Sequence, residues 1–169
     1  MEPKPDFDTL VERHSAELFR YLWRLLSDPA DAQDCLQDTY LRAFRAYPRV
    51  TDTSHLRAWL YKIATNVARS HRARTGRRRQ RESALVEHLA AGGKGVSAMV
   101  AERSQLAEVQ QAVLALPTNQ RAALMMRKYQ QLDYEDIATA LGCSQDAARA
   151  NVYQAVKKLR AQFREVQDE

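Results

Sequence analysis

Residues 134–160 have the sequence YEDIATALGCSQDAARANVYQAVKKLR, which contains two apolar patterns with helical spacing. Ile137 and Leu141 lie on the apolar edge of the first pattern, and Gly142 suits the left-handed residue that often ends a helix. Ser144 can then cap a second helix, so the stretch predicts two amphipathic helices joined by a short turn. This arrangement is a helix-turn-helix.

The second of these helices has a polar face that suits the major groove of DNA. Its apolar stripe is predicted at Ala148, Val152, Ala155, Val156 and Leu159. The side chains predicted to face outward are Gln145, Arg149, Tyr153, Gln154 and Lys157. Arginine can pair with guanine and glutamine with adenine, and each such pair contributes about 1–3 kcal/mol of discrimination. The alternative left open here is a helical hairpin that packs without binding DNA.

The remaining composition favours an all-α protein of two small helical domains. The 169 residues contain few glycines and prolines and no alternating β-branched runs, so strands have no obvious place. There is no long apolar run and no secretory signal pattern, and the two cysteines, Cys35 and Cys143, are more than a hundred positions apart. We therefore expect a soluble protein of the reducing cytoplasm.

The net charge of +5 is concentrated in one short segment. Residues 69–81, RSHRARTGRRRQR, carry seven arginines and no acid, whereas the parts before and after this segment each carry one more acid than base. Such a run is often only a solvated face. Here it directly follows a patterned helix, which changes its interpretation.

That helix is predicted over about residues 54–72, with its apolar face at Leu56, Trp59, Leu60, Ile63, Ala64 and Val67. The opposite face is predicted to expose Tyr61, Lys62, Thr65, Asn66 and Arg69. A ring, an amide and cations on one surface are typical of a site for single-stranded nucleic acid, where aromatic side chains stack on bases. An ordinary surface helix explains the same composition equally well, and the arginine run favours nucleic acid.

Asp28 and Pro29 predict the start of another helix, which Pro48 ends. Its apolar face is predicted at Ala32, Cys35, Leu36, Tyr40, Ala43, Phe44 and Tyr47, and its polar face includes Asp34, Gln37, Asp38 and Arg42. Spacing alone favours simple solvation of this polar face. Residues 7–26 are the expected helical partner, and residues 1–6 are expected to be disordered.

Enzymatic readings find little support in the sequence. The four histidines, His14, His55, His71 and His88, show no metal-binding spacing, and there is no phosphate-binding glycine loop. We therefore expect no catalytic residue, metal or cofactor. An autonomous DNA-binding regulator remains an alternative function.

Three stretches together carry a resemblance to a known family. Residues 31–47 (DAQDCLQDTYLRAFRAY) and 56–74 (LRAWLYKIATNVARSHRAR) resemble region 2 of bacterial sigma factors, and residues 116–160 resemble region 4. Because little precedes region 2 and only a linker separates the two regions, the chain resembles the compact extracytoplasmic-function (ECF) group. The expected boundaries are 7–75 for region 2, 76–102 for a flexible linker and 103–169 for region 4.

This resemblance implies a dissociable initiation subunit of RNA polymerase. Region 2 would melt and bind the −10 element through Tyr61, Lys62, Thr65, Asn66, Arg69 and Arg72. A loop that captures a flipped base would comprise Val50, Thr51, Asp52, Thr53, Ser54 and His55. Region 4 would bind the −35 element through Gln145, Arg149, Asn151, Tyr153, Gln154 and Lys157. Core polymerase would contact Asp34, Gln37, Asp38 and Arg42. The resemblance therefore favours a protein contact on the polar face of this helix over simple solvation.

The resemblance also implies the partners. They are promoter DNA, the β′ clamp helices and β flap of core polymerase, and an anti-sigma factor. No long heptad seam is present, so a monomer is expected when the protein is free. About twenty linker residues can reach on the order of 65–70 Å when extended but span only about 25 Å as a relaxed coil, so the free chain can be compact with its DNA surfaces partly hidden.

Overall fold

A computed structural model describes residues 3–89 and 105–165 of the chain. Every regular element in these ranges is a helix. The helices are α1 (Phe7–Leu26), α2 (Pro29–Ala46), a 3-10 turn (Tyr47–Arg49), α3 (Leu56–Leu89), α4 (Gln105–Leu114), α5 (Thr118–Lys128), α6 (Tyr134–Leu141) and α7 (Gln145–Glu165). The all-α prediction is confirmed, with α1–α3 forming the first domain and α4–α7 the second.

The first domain packs α1 and α2 against the N-terminal half of α3. Asp28 accepts a hydrogen bond from the Asp31 N–H at 2.9 Å, and Pro29 is the first helical residue, as predicted. The α1 core residues are Leu10, Leu18, Tyr21, Leu22 and Leu25. The predicted apolar face of α2 is correct except at Phe44, which is 62% exposed. Phe44 instead packs its ring edge against Phe7 on the domain surface.

The N-terminal residues that the structure describes are ordered by contacts with the end of α2. The Lys4 ammonium donates to the Tyr47 carbonyl at 2.6 Å and to the Val50 carbonyl at 2.7 Å. The Tyr47 hydroxyl donates to the Pro5 carbonyl, and Asp6 caps α1 through the Thr9 N–H. Disorder is therefore the wrong prediction for residues 3–6, and residues 1 and 2 lie outside the described part.

The third helix is longer than the sequence predicts. It runs 34 residues from Leu56 to Leu89, so it includes the arginine run and continues into the predicted linker. At about 1.5 Å per residue it spans roughly 50 Å. Residues 76–89 are thus helical rather than a coil, because the arginines and Ala84 are compatible with helix and no proline interrupts them. The rest of the predicted linker, residues 90–102, lies outside the described part.

The second domain contains the predicted helix-turn-helix in α6 and α7. Asp133 caps α6 by accepting from the Asp136 N–H at 2.8 Å, and Gly142 ends the helix at φ +64°. Ser144 accepts from the Ala147 N–H at 3.1 Å at the start of α7. The predicted stripe of α7 faces the core, since Ala148, Val152 and Ala155 are buried. These features confirm the turn chemistry that the sequence indicates.

Candidate nucleic-acid interface

The α3 surface differs from the sequence prediction at two of its residues. Lys62, Asn66 and Arg69 are exposed, but Tyr61 is fully buried and Thr65 is 1% exposed. The prediction that Tyr61 and Thr65 face solvent is therefore wrong. What remains on the exposed side is an amide between two cations.

Polar partners inside the domain explain why these two side chains are buried. The Tyr61 hydroxyl donates to Glu17 Oε2 at 3.2 Å, and its ring packs 4.9 Å from the Tyr21 ring. The Thr65 hydroxyl lies 2.8 Å from the Tyr21 hydroxyl and donates to the Tyr61 carbonyl at 2.6 Å. Burial raises the pKa of both tyrosines, so both hydroxyls stay neutral hydrogen-bonding groups. A buried Tyr61 cannot stack on an unpaired base.

Glu17 of α1 holds this network together. Arg57 donates to its carboxylate from both Nε and Nη2, the latter at 2.6 Å, and His14 contacts the same carboxylate. Burial by itself raises the pKa of Glu17, but the hydrogen bonds from His14 and Arg57 outweigh it and lower the pKa to about 2. Because Glu17 stays ionised, it fixes the start of α3 against α1.

Arg72 lies apart from the exposed cations of α3. It is half-buried, and burial lowers its pKa. Six residues along a helix correspond to a rotation of about 240° after Asn66, so Arg72 points to a different side of α3. The structure therefore groups Lys62, Asn66 and Arg69 but leaves Arg72 outside the group.

Residues 50–55 form the short loop that precedes α3. Asp52 accepts from the Ser54 N–H at 2.9 Å, and this hydrogen bond lowers the pKa of Asp52. Thr51, Asp52 and Ser54 are exposed, while Val50 and Thr53 are half-buried. The loop thus presents small polar side chains next to the N-terminal end of α3.

All five side chains that the sequence predicts on the outward face of α7 are exposed. They are Gln145, Arg149, Tyr153, Gln154 and Lys157. Arg149 lies 3.9 Å from Asp146 and 5.2 Å from the centre of the Tyr134 ring. Asn151 is different, because it is half-buried and its amide donates to the Ala147 carbonyl at 3.0 Å. Asn151, which only the resemblance adds to the −35 contacts, is therefore not presented with these five.

The polar face of α2 is a separate surface. Asp34 and Gln37 are exposed, and Asp38 pairs with Arg42 at 2.9 Å. Next to them lies a shallow depression, also lined by His71 and Arg74 of α3. Leu41 is 57% exposed, like its neighbour Phe44, so this surface is partly apolar. The sequence prediction missed this apolar part because Phe44 fits the helical spacing of the core.

The two domains contact each other through the predicted DNA surface of the first domain. His55 Nδ1 lies 3.1 Å from Asp136 Oδ1, and Arg57 donates to the Gln130 carbonyl at 2.7 Å. Arg69 donates to Asn119 Oδ1 at 2.7 Å. This compact arrangement engages His55 and Arg69, whereas the polar face of α7 stays exposed. The domains are in contact, and residues of the second domain cover part of the surface that is predicted from the sequence to bind the −10 element.

Two family models match the two domains. The model of Sigma-70 region 2 matches residues 10–78, and the model of Sigma-70, region 4 matches residues 106–159. The chain belongs to the sigma-70 family. It is an RNA polymerase sigma factor of the ECF group. The domains of α1–α3 and α4–α7 are accordingly called region 2 and region 4 below.

Relatives with curated names agree with this family. The RNA polymerase sigma-H factor of Pseudomonas aeruginosa is 31% identical over 160 residues, which cover 90% of this chain and 83% of that protein. The ECF RNA polymerase sigma factor SigC of Mycobacterium tuberculosis is 36% identical over 138 residues, which cover 79% of this chain and 72% of that protein. Both similarities extend across regions 2 and 4.

Two solved structures share the fold. One is the sigma factor RpoE in complex with the anti-sigma factor NepR from Bartonella quintana, with a TM-score of 0.67 and 23% identity, covering 94% of this chain and 97% of that one. The other is CnrH in complex with the cytosolic domain of CnrY, with a TM-score of 0.68 and 24% identity, covering 94% and 88%. At this identity they support the fold.

Neither a membrane-spanning helix nor a metal site is found among residues 3–89 and 105–165. None of the helices there is long and apolar enough to cross a bilayer. No three His, Cys, Asp or Glu side chains in the same ranges are placed to hold a metal ion. Cys35 is buried and burial raises its pKa to about 11, so its thiol stays protonated at neutral pH.

Proposed function

We propose that region 2 of this sigma factor opens and binds the −10 element while region 4 binds the −35 element. The observation that carries this proposal is the presence of two exposed, DNA-compatible faces on separate domains. One comprises Lys62, Asn66 and Arg69 on α3, and the other lies on α7. Neither face is closed by its own domain.

At the −10 element, Asn66 is proposed to contact an unpaired base and Lys62 and Arg69 the adjacent phosphates. An amide has both donors and an acceptor, so it can pair with a base edge, while the cations offset backbone charge. Flipping a base out of the duplex costs a few kcal/mol, which a binding pocket must compensate. Residues 50–55 are proposed to form that pocket, without stacking by Tyr61.

At the −35 element, the exposed face of α7 is proposed to enter the major groove. Arg149 and Gln154 have the side chains that pair bidentately with guanine and adenine, respectively. Tyr153, which is 65% exposed, adds a contact between them, and Lys157 lies one turn further on for a phosphate. Ser144 and Gly142 fix the angle at which α7 leaves the turn.

Core polymerase is proposed to bind the α2 surface through the β′ clamp helices, and region 4 is proposed to contact the β flap. The surface combines the Asp38–Arg42 pair with exposed Leu41 and Phe44, and exposed apolar side chains next to charges are typical of interfaces. An anti-sigma factor is a further proposed partner. The chain would act in the bacterial cytoplasm as a monomer until it binds polymerase, without catalytic activity of its own.

Transcription reconstituted with purified core polymerase tests the residue roles. A promoter is first recovered by selecting a pool of duplexes, randomised in both elements, with the wild-type holoenzyme. Asn66→Ala is expected to bind this promoter but fail to open it, measured as permanganate-reactive thymines in the −10 region. Arg149→Ala is expected to lose closed-complex affinity and to open normally at saturating concentration. Normal opening by Asn66→Ala would contradict the −10 assignment.

A further inference from the structure

The C-terminal half of α3 carries exposed arginines to which the proposed promoter contacts give no role. The helix is continuous from Leu56 to Leu89, so its orientation after Arg69 is set by its orientation before it. Four arginines line a shared open cleft along this half: Arg74, Arg77, Arg78 and Arg81. All four are exposed. The question is which ligand such a row of guanidinium groups can bind.

Helix geometry places part of this row on the same side of α3 as Asn66. At about 100° per residue, Arg77 lies within about 20° of Asn66 around the helix axis, and Arg81 within about 60°. At about 1.5 Å per residue, they lie roughly 16 Å and 22 Å further along the axis. With duplex DNA rising about 3.4 Å per base pair, these distances correspond to about five and seven base pairs. Arg79 points to nearly the opposite side from Arg77.

Ion pairs within the protein do not neutralise this row of arginines. Arg78 pairs with Glu82 at 2.9 Å, but both side chains are largely exposed, so the pair contributes little to stability. Among the side chains of residues 3–85 and 106–164, no carboxylate forms an ion pair with Arg77 or Arg81. Residues 69–81 contain no acid at all. The positive charge of this face is thus available to an external anion.

We propose that Arg77 and Arg81 bind the phosphate backbone of the promoter duplex between the −10 and −35 elements. This inference rests on the proposed placement of Asn66 at the −10 element. Region 4 follows α3 in the sequence, and its proposed target lies upstream of the −10 element. In the open, promoter-bound chain the C-terminal half of α3 is therefore placed on the spacer side. Guanidinium groups pair bidentately with phosphate oxygens, and such contacts position a protein on DNA without reading its sequence.

The salt dependence of promoter binding measures this contact. Each phosphate contact contributes about 0.9 to the slope of log affinity against log salt concentration. The holoenzyme with Arg77→Gln and Arg81→Gln is therefore expected to show a slope about two smaller than the wild type. For a four-fold rise in salt, the variant would then lose about 12-fold less affinity than the wild type. The matched control is Arg13→Gln with Arg79→Gln, which removes the same charge from other faces and should keep the wild-type slope.

A chemical change in the DNA locates the contact. Neutral methylphosphonate linkages at the spacer phosphates five to seven base pairs upstream of the −10 contact should lower the wild-type slope to that of the Arg77→Gln/Arg81→Gln variant. The same linkages should leave the variant's slope unchanged. Equal slopes for variant, control and wild type would overturn the proposal. It would also be overturned if the methylphosphonate linkages lowered the slope of the variant further.

Two further measurements separate other causes of failure. The affinity of each variant for core polymerase, measured without DNA, should equal that of the wild type, and a loss there would assign the row to a protein contact and overturn the proposal. If the wild-type holoenzyme opens no selected promoter, the proposed function itself fails. If the wild-type holoenzyme opens the promoter but the Arg77→Gln/Arg81→Gln variant has the wild-type salt slope, the proposed function stands and this inference alone fails.

Discussion

Replacing Asp136 by asparagine tests whether region 4 covers part of the proposed −10 surface in the free protein. Asp136 Oδ1 lies 3.1 Å from His55 Nδ1, and asparagine keeps the size and a hydrogen-bonding oxygen but removes the charge. The His55 side chain is 40% exposed, so solvent screening limits this ion pair to about 0.5–1 kcal/mol. Losing that amount raises the ratio of open to compact chain about two- to five-fold.

The pH dependence of this contact follows from the pKa of His55. The hydrogen bond to Asp136 raises the pKa of His55 in the compact form. The pair therefore stabilises the compact form fully below the ordinary histidine pKa of about 6.5, and the contribution is lost as pH rises through the raised value. Asp136→Asn should accordingly shift the equilibrium toward the open chain at pH 6 and leave it nearly unchanged at pH 9.

Fluorescence anisotropy with a single-stranded −10 oligonucleotide and polymerase-free protein measures the effect. When only the open chain binds, the apparent Kd is the intrinsic Kd divided by the open fraction. Asp136→Asn should then bind about two- to five-fold more tightly than the wild type at pH 6. The ratio of the two affinities cancels the pH dependence of DNA binding itself, because Asp136 is not among the proposed DNA contacts.

Asp8→Asn is the matched control, since Asp8 also lies in the first turn of a helix and is exposed. It should bind with the wild-type affinity at every pH. Equal affinities of wild type and Asp136→Asn at pH 6 would refute the reasoning that this ion pair stabilises the compact form.

Three further substitutions test the packing of the two domains. Glu17→Gln should lower the free energy of unfolding of region 2 by on the order of 2–3 kcal/mol at pH 7, measured by urea unfolding. The pKa of Glu17 is about 2 in the folded protein and about 4.3 in the unfolded chain, so the ionised carboxylate adds stability above about pH 4.3 that is lost as the pH falls toward 2. Equal stabilities of wild type and variant at pH 7 would contradict this. Tyr61→Phe should cost about 1 kcal/mol and leave promoter opening unaltered, whereas an opening defect would restore a base-contact role. Gly142→Ala should cost region 4 about 1 kcal/mol from its φ of +64° alone, since an added Cβ meets no atom within 4 Å, and an unchanged melting temperature would disagree.

Features that depend on local sequence could be predicted well. Helix starts and ends depend on neighbours three or four residues away. This holds for Asp28 and Pro29 at the start of α2 and for Gly142 and Ser144 in the turn. The stripe on α7 has one apolar side and one solvent side, so periodicity alone orients it. These elements carry the proposed −35 face, and its predicted exposure agrees with the structure except that Asn151 is half-buried.

The errors arise where a distant residue decides the outcome. Tyr61 and Thr65 have polar atoms that suggest exposure, but Glu17 and Tyr21 on α1 supply partners that only the tertiary structure brings close. Phe44 fits the core period of α2 and yet lies at the domain edge beside Phe7. The predicted end of α3 is wrong for another reason. A run of arginines indicates charge but contains no residue that marks the end of a helix.

The most direct test of the sigma-factor function is run-off transcription from the selected promoter by core polymerase with and without this protein. We expect transcripts of one defined length only when the protein is added, and none from a template in which both elements are scrambled. Tight binding of the free protein to the duplex promoter, with no gain in specific transcript on adding core polymerase, would contradict this account and favour an autonomous regulator.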